Sequence, residues 1–222
     1  ERDARRRESR PPGGTVKIDG GLMGHSLGSV PERVRALERA GYDGVVSAEI
    51  ANDPFLPLAI AALHSERIEL LTSIAVAFAR NPMLLAQTGH DLNAASKGRM
   101  ILGLGSQIRA HVTKRFSMPW SRPAARMREF VLALRAIWAC WYEGTPLGFR
   151  GEFYTHTLMT PMFVPPECGF GAPRVFLAAV GPRMTEVAGE VADGLIAHGF
   201  TTDRYFREVT LPAVARGLAA SG

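Results

Sequence analysis

Short blocks of almost uninterrupted apolar residues alternate along this chain with longer stretches in which apolar residues recur every three or four positions. The blocks are Gly44-Val45-Val46-Ser47, the run from Ile68 to Ala77, Met100-Ile101-Leu102-Gly103-Leu104, Val175-Phe176-Leu177-Ala178-Ala179 and Gly194-Leu195-Ile196-Ala197. Runs of this kind suit strands covered on both faces, the situation of a parallel sheet. A shorter alternating stretch, Thr15-Val16-Lys17-Ile18-Asp19, is predicted as the first strand.

The stretches between them read as helices. Ser29, followed by Pro31 and Glu32, predicts a helix start with Ser29 as N-cap, ending at Gly41. Further helices are predicted over Pro57–Glu66, Met83–Ser96 and Pro123–Tyr142, then from Gly181-Pro182-Arg183 to Val191 and over Asp203–Leu218. In the longest of these, Val131, Leu134, Ile137, Trp138 and Trp141 recur at helical spacing, which marks a stripe facing the core. Residues 144–174 break the rhythm. Glycines and prolines crowd around a strand-like Glu152-Phe153-Tyr154-Thr155, predicting an insertion after the fourth helix that contains a hairpin, a common place for a substrate lid.

The count is six strand–helix units in order. An open Rossmann sheet would carry GxGxxG soon after the first strand, and Gly20-Gly21-Leu22-Met23-Gly24 does not supply it. The expectation is an α/β fold, a (β/α)8 TIM barrel that stops after about six of its eight units, with its site at the carboxyl ends of the strands. Residues 15–222 then form one domain behind a disordered, arginine-rich leader at 1–14.

Composition narrows the function classes. With 46% apolar and 21% charged residues among 222, the chain can bury a sizeable core, and no stretch of eighteen apolar residues marks a membrane span. The net charge of +5 owes much to the leader, and the rest is spread without aromatic interleaving, which argues against nucleic acid and for a small phosphate- or carboxylate-bearing ligand. Two cysteines, Cys140 and Cys168, without CxxC spacing predict free thiols in a reducing cytoplasm and no zinc site. No H-x-x-x-H or carboxylate cluster predicts another metal.

A joint pattern then stands out: Arg80-Asn81-Pro82 before a helix, His90-Asp91-Leu92, Ser96-Lys97-Gly98-Arg99, Leu102-Gly103-Leu104-Gly105-Ser106, Ala178-Ala179-Val180-Gly181-Pro182-Arg183-Met184 and Ala192-Asp193-Gly194. It resembles the bacterial luciferase-like superfamily, and within it the single-component oxidoreductases that use the deazaflavin coenzyme F420. The resemblance implies an F420-dependent oxidoreductase that moves hydride between the deazaflavin and a small organic substrate; it also implies a homodimer. The runner-up is an FMN-dependent monooxygenase of the same superfamily, and a non-catalytic or vestigial cofactor-binding barrel stands as a third reading.

The resemblance also implies positions. A non-proline cis peptide at the end of the third strand would fall at Ser73-Ile74, against the cofactor ring. Gly181, Pro182, Arg183 and Met184 open a helix straight after a strand and form a phosphate cradle, and Gly103, Gly105 and Ser106 allow close backbone approach. Glu49 keeps the carboxylate of an acid–His pair found in relatives, while Ile50 loses the imidazole. His111 is the nearest titratable group after the fourth strand and the candidate for protonating substrate. His25 and His198 follow the first and sixth strands and are further cavity candidates; His64 and His90 lie in helices and are expected to be structural. Trp120 and Phe116 are candidate cavity walls, and Arg109, Lys114 and Arg115 form a basic cluster for an acidic cofactor tail.

Overall fold

Each apolar block becomes a strand because its backbone groups find partners on both sides while both side-chain faces are covered. The structure, a computed structural model, describes residues 16–24 and 26–221. In chain order it contains β1 (Asp19–Gly21), α1 (Val30–Arg39), β2 (Gly44–Ser47), α2 (Phe55–His64), β3 (Glu69–Thr72), β4 (Ala75–Val76), α3 (Pro82–Ala95) and β5 (Met100–Gly105). There follow α4 (Pro123–Glu143), β6 (Phe149–Arg150), β7 (Thr155–His156), β8 (Arg174–Ala179), α5 (Pro182–Val191), β9 (Gly194–Ala197), α6 (Asp203–Tyr205) and α7 (Leu211–Ala220).

The main sheet is parallel throughout, in the order β1-β2-β3-β5-β8-β9, with β4 also paired to β5. It curls into a half-barrel. Consecutive helices pack against one another from α1 to α5, and α7 packs on α5. Leu70, Leu102, Leu104, Val175 and Leu177 from the strands meet Leu58, Leu85, Phe130, Leu134 and Trp138 from the helices in one buried core. The stripe on α4 faces that core as its spacing predicts.

Local chemistry explains several boundaries. Asn81 sits in extended backbone and accepts the Met83 N–H at 2.8 Å, while Pro82 occupies the first helical position, so α3 starts there. At the turn into β5, Lys97 and Gly98 both take positive φ, and the Arg99 guanidinium then donates to the carbonyls of Ala62, Ser65, Ile68 and Ser96. One side chain thereby satisfies the end of α2 and ties it to the start of β5.

The expected single third strand is two. Leu71 pairs with Ile101 and Ala75 with Leu104, so residues 72–74 on one side oppose only 102–103 on the other. This is a bulge, and the Thr72 hydroxyl fills the interrupted ladder: Oγ1 accepts the Gly103 N–H at 2.9 Å and donates to the Gly103 carbonyl at 2.8 Å. The Ser73–Ile74 peptide bond within the bulge is cis, at the expected position.

Other expectations shift. The first strand lies at Asp19–Gly21, not over residues 15–19, and Val16 and Ile18 are exposed; Thr15 and the leader at 1–14 lie outside the described residues. Pairing with Gly44–Val46 selects the glycines because an ideal Cβ on Gly20 would come within 2.6 Å of Leu37. Ser29 precedes α1 but caps nothing, its hydroxyl donating instead to the Ser26 carbonyl. The hairpin is present in residues 144–173, but its strands are Phe149–Arg150 and Thr155–His156, with Glu152 to Tyr154 at the turn side.

Candidate functional site

Strands that run parallel deliver all their carboxyl ends to one rim, and a cavity of about 790 Å3 opens there between the bulge that follows β3 and the ends of β5, β8 and β9. Ser73 and Ile74 contribute from the bulge, Gly105 and Ser106 from β5, Ala178, Ala179 and Gly181 from β8 and its loop, and Ile196 and His198 from β9. An ideal Cβ on Gly105 would lie 2.9 Å from Ile74 Cδ1, so the glycine is what lets Ile74 lie against β5.

The electrostatics of this rim favour an anion. The first residue of α4, Pro123, lines the cavity, as do Gly181 and Met184 at the start of α5, so two helix N-termini converge on it. Arg109 lines it as well, and no Asp or Glu is among its described lining residues. The His198 ring accepts the Phe200 N–H at Nδ1, 3.2 Å, which leaves the proton of the neutral imidazole on Nε2.

The wall bearing Trp120 is braced from α4. Arg126 is 6% exposed and, among the described residues, has no carboxylate partner. Its Nε donates to Tyr154 Oη at 2.8 Å and its Nη1 to the Pro119 carbonyl at 2.7 Å, and its guanidinium lies over the rings of Phe78 and Tyr154. Trp120 packs edge-on to Phe78. One turn along α4, the Glu129 carboxylate accepts the N–H groups of Glu152, Phe153 and Tyr154, clipping the hairpin to the same helix. Burial raises the Tyr154 phenol's pKa, and the Arg126 hydrogen bond works against it. Replacing Arg126 with glutamine is expected to cost about 2 kcal/mol, because bonds from a buried charged donor are lost. The same change should red-shift the part of tryptophan emission that disappears on Trp120→Phe; thermal melts and emission spectra check both.

The candidate residues divide. Ser73, Ile74, Gly105, Ser106, Gly181 and Met184 all line the cavity. Pro182 and Arg183 stand beside it at the exposed start of α5 without lining it, and Gly103 is buried in the sheet under Thr72. Glu49 is turned away from it. Its side chain is 8% exposed, and Oε2 accepts the Val76 N–H at 2.7 Å and Arg80 Nη1 at 2.5 Å, while Arg80 also reaches Asp53. His111 opens an exposed π-helical turn, His111–Arg115, outside the lining. In that turn Arg115 donates to the Ile50 carbonyl and lies over Phe116, and Lys114 is exposed.

His198, by contrast, does line the cavity, and His25 lies outside the described residues. His90 pairs with Tyr142 at 2.7 Å, and burial pushes that phenol up to about 12; His64 accepts from Arg35. Sequence reasoning did not select Gln107, Ile108 or Ile196. Gln107 takes a positive φ, the backbone signature of a residue held at a turn, but nothing in its side-chain type announces that. Among the described residues no cluster of His, Cys, Asp or Glu could hold a metal, and no helix is long and apolar enough to cross a membrane.

A second cavity, of about 550 Å3, opens at the ends of β1 and β2. Ser47 lines it, and the Ser47 carbonyl accepts the N–H of Ser73, which lines the larger one, at 2.7 Å.

Comparison with known proteins places this rim in context. The luciferase-like monooxygenase family profile matches residues 10–222. An uncharacterized protein of Mycobacterium tuberculosis is 58% identical over 207 residues, 93% of this chain and 61% of that protein. An F420-dependent glucose-6-phosphate dehydrogenase of Nocardia farcinica is 29% identical over 170 residues, 74% of this chain and 48% of the enzyme. Among solved structures, a coenzyme F420-dependent tetrahydromethanopterin reductase from Methanopyrus kandleri superposes with a TM-score of 0.76 at 19% identity, covering 94% of this chain and 62% of that one. The chain therefore spans about half to three fifths of the length of these relatives.

Proposed function

The chain belongs to the luciferase-like monooxygenase family, and from that membership we propose that it binds coenzyme F420 in the larger cavity and moves hydride between the coenzyme and a small organic substrate. The observation that carries this reading is the lining: an apolar floor joined to a rim with two helix N-termini, Arg109 and no described carboxylate. The names of the Nocardia and Methanopyrus relatives support F420 as the coenzyme. The family's own description favours a second reading, a monooxygenase, for which FMN would be the coenzyme.

The residues present fit a tricyclic ring with an acidic tail. When bound, the deazaflavin supplies the atom that takes or gives the hydride. Ile74, Ala178, Ala179 and Ile196 form the apolar bed, and Ser106 and Gln107 offer polar contacts at its edge. The N–H groups of Arg183 and Met184, free at the start of α5, meet phosphate together with Gly181, and Arg109 meets the acidic tail. Trp120 keeps water from the ring. His198, with its proton on Nε2, handles the proton that accompanies the hydride, since His111 lies outside the cavity. In this reading the chain carries six units of a (β/α)8 barrel, residues 144–174 are an insertion, and the working form is a cytoplasmic homodimer.

Fluorescence titration with F420 and with FMN tests the reading. F420 is expected to bind more tightly, and Arg109→Gln to weaken it about tenfold, the loss of one charge-assisted contact. Binding of FMN alone would move the assignment to the monooxygenase, and binding of neither would leave the non-catalytic barrel.

A further inference from the structure

We infer that the smaller cavity is the substrate pocket and that it takes an uncharged, mainly apolar molecule carrying one hydroxyl or carbonyl, which Ser47 Oγ receives. This rests on the reading of the larger cavity as the coenzyme site. Three observations carry it.

The first is a hydroxyl on the cavity wall that no described protein group engages. Ser47 is 3% exposed and lines the cavity, yet among the described residues its side chain makes no hydrogen bond. Its Oγ is not sealed off from solvent but opens onto the cavity, where a ligand oxygen can take the place of water as its partner. The second is the charge of the lining. Asp53 is its one described charged residue, and both its oxygens are engaged: Oδ1 accepts the N–H groups of Phe55 and Leu56, and Oδ2 accepts from Arg80. Among the described lining residues no Lys or Arg is present to counter a phosphate or carboxylate, in contrast to the rim of the larger cavity. The third is the apolar surface around the mouth. Met23, Leu27, Ile50 and Leu56 line the cavity and remain exposed, a cost that an apolar occupant would remove.

Position completes the case. Ser47 and Ser73 are joined by a backbone hydrogen bond and face different cavities, so a molecule held at Ser47 lies one strand away from the coenzyme bed.

Saturation-transfer NMR on the full chain, with cyclohexanol and glucose 6-phosphate as separate probes, tests the inference without turnover. Cyclohexanol is expected to bind, to bind roughly fivefold more weakly to Ser47→Ala, the loss of one neutral hydrogen bond, and to lose binding in Ala51→Trp, which fills the cavity from an exposed loop. Glucose 6-phosphate is expected to give no transfer. Thermal melts verify that both variants fold. Cyclohexanol binding unchanged in both variants, no binding at all, or glucose 6-phosphate binding that Ala51→Trp removes would each overturn the assignment. The F420 titration reads the other cavity separately. If F420 fails to bind while cyclohexanol still depends on Ser47, the coenzyme reading falls and the pocket stands; if F420 binds and cyclohexanol does not, the reverse holds.

Discussion

Gly103→Ala is expected to destabilise the protein by roughly 3 kcal/mol, a drop in melting temperature on the order of 10 °C for a chain of this size. An ideal Cβ at Gly103 would lie 1.8 Å from the Thr72 carbonyl oxygen and 2.9 Å from Ile196 Cδ1. The first of these is backbone in the bulge between β3 and β4, so no side-chain rotation relieves it. Pushing the strands apart would also break the two bonds between Thr72 Oγ1 and the Gly103 peptide groups. Thr72→Val separates the two effects, because it keeps the shape and removes only the hydroxyl. It should cost about 2 kcal/mol by leaving a buried N–H and carbonyl without partners, whereas Thr72→Ser should be milder. Thermal and chemical denaturation of the three variants check the order, and a Gly103→Ala protein as stable as the parent would show that the strand approach is not as tight as the bulge requires.

The second large effect is expected at Arg80. Arg80→Met should cost about 3 kcal/mol, because it leaves the Glu49 carboxylate buried with only the Val76 N–H to receive it. Arg80 is partly exposed, which places the expectation at the low end for a broken buried pair. Glu49→Gln should cost less, since its amide oxygen can still accept from Val76 and Arg80 retains Asp53 and the Phe55 ring. The double variant should cost clearly less than the two single changes added together, a coupling that denaturant titration can measure. Additive costs would mean that the two side chains do not depend on one another. The pair ties the segment after β2 to the segment around β4, since Glu49 also accepts the Val76 N–H.

Much of the fold was legible because the signals are local. Apolar blocks at Gly44–Ser47, Met100–Leu104 and Gly194–Ala197, and the helical spacing of Val131 through Trp141, each declare their element within a window of a few residues. Asn81-Pro82 announced the start of α3 by the same local chemistry. The first strand was misplaced because alternation at Val16 and Ile18 is weaker than the demand for glycine opposite Leu37, which is remote in sequence. The split of the third strand was invisible for the same reason: a bulge is a mismatch between two strands, and it cannot be read from either one.

Among candidate site residues, Ser73, Ile74, Gly105, Ser106, Gly181 and Met184 reached the cavity because each sits where a parallel strand ends, a position the element order predicts. Gly103 shares a face of β5 with Gly105 but lies two residues deeper, bonded to Thr72 in the bulge, and Glu49, beyond the end of β2, gives its carboxylate to Arg80 and the Val76 N–H. The sequence by itself determined the order of the strands and helices and therefore the rim at which the cavities open, since both follow from periodicity and parallel connection. Only the tertiary structure decided which glycine lines a cavity and which admits a neighbouring strand, which carboxylate is spent on an arginine, and which serine opens onto the smaller cavity, because each depends on contacts between segments distant along the chain.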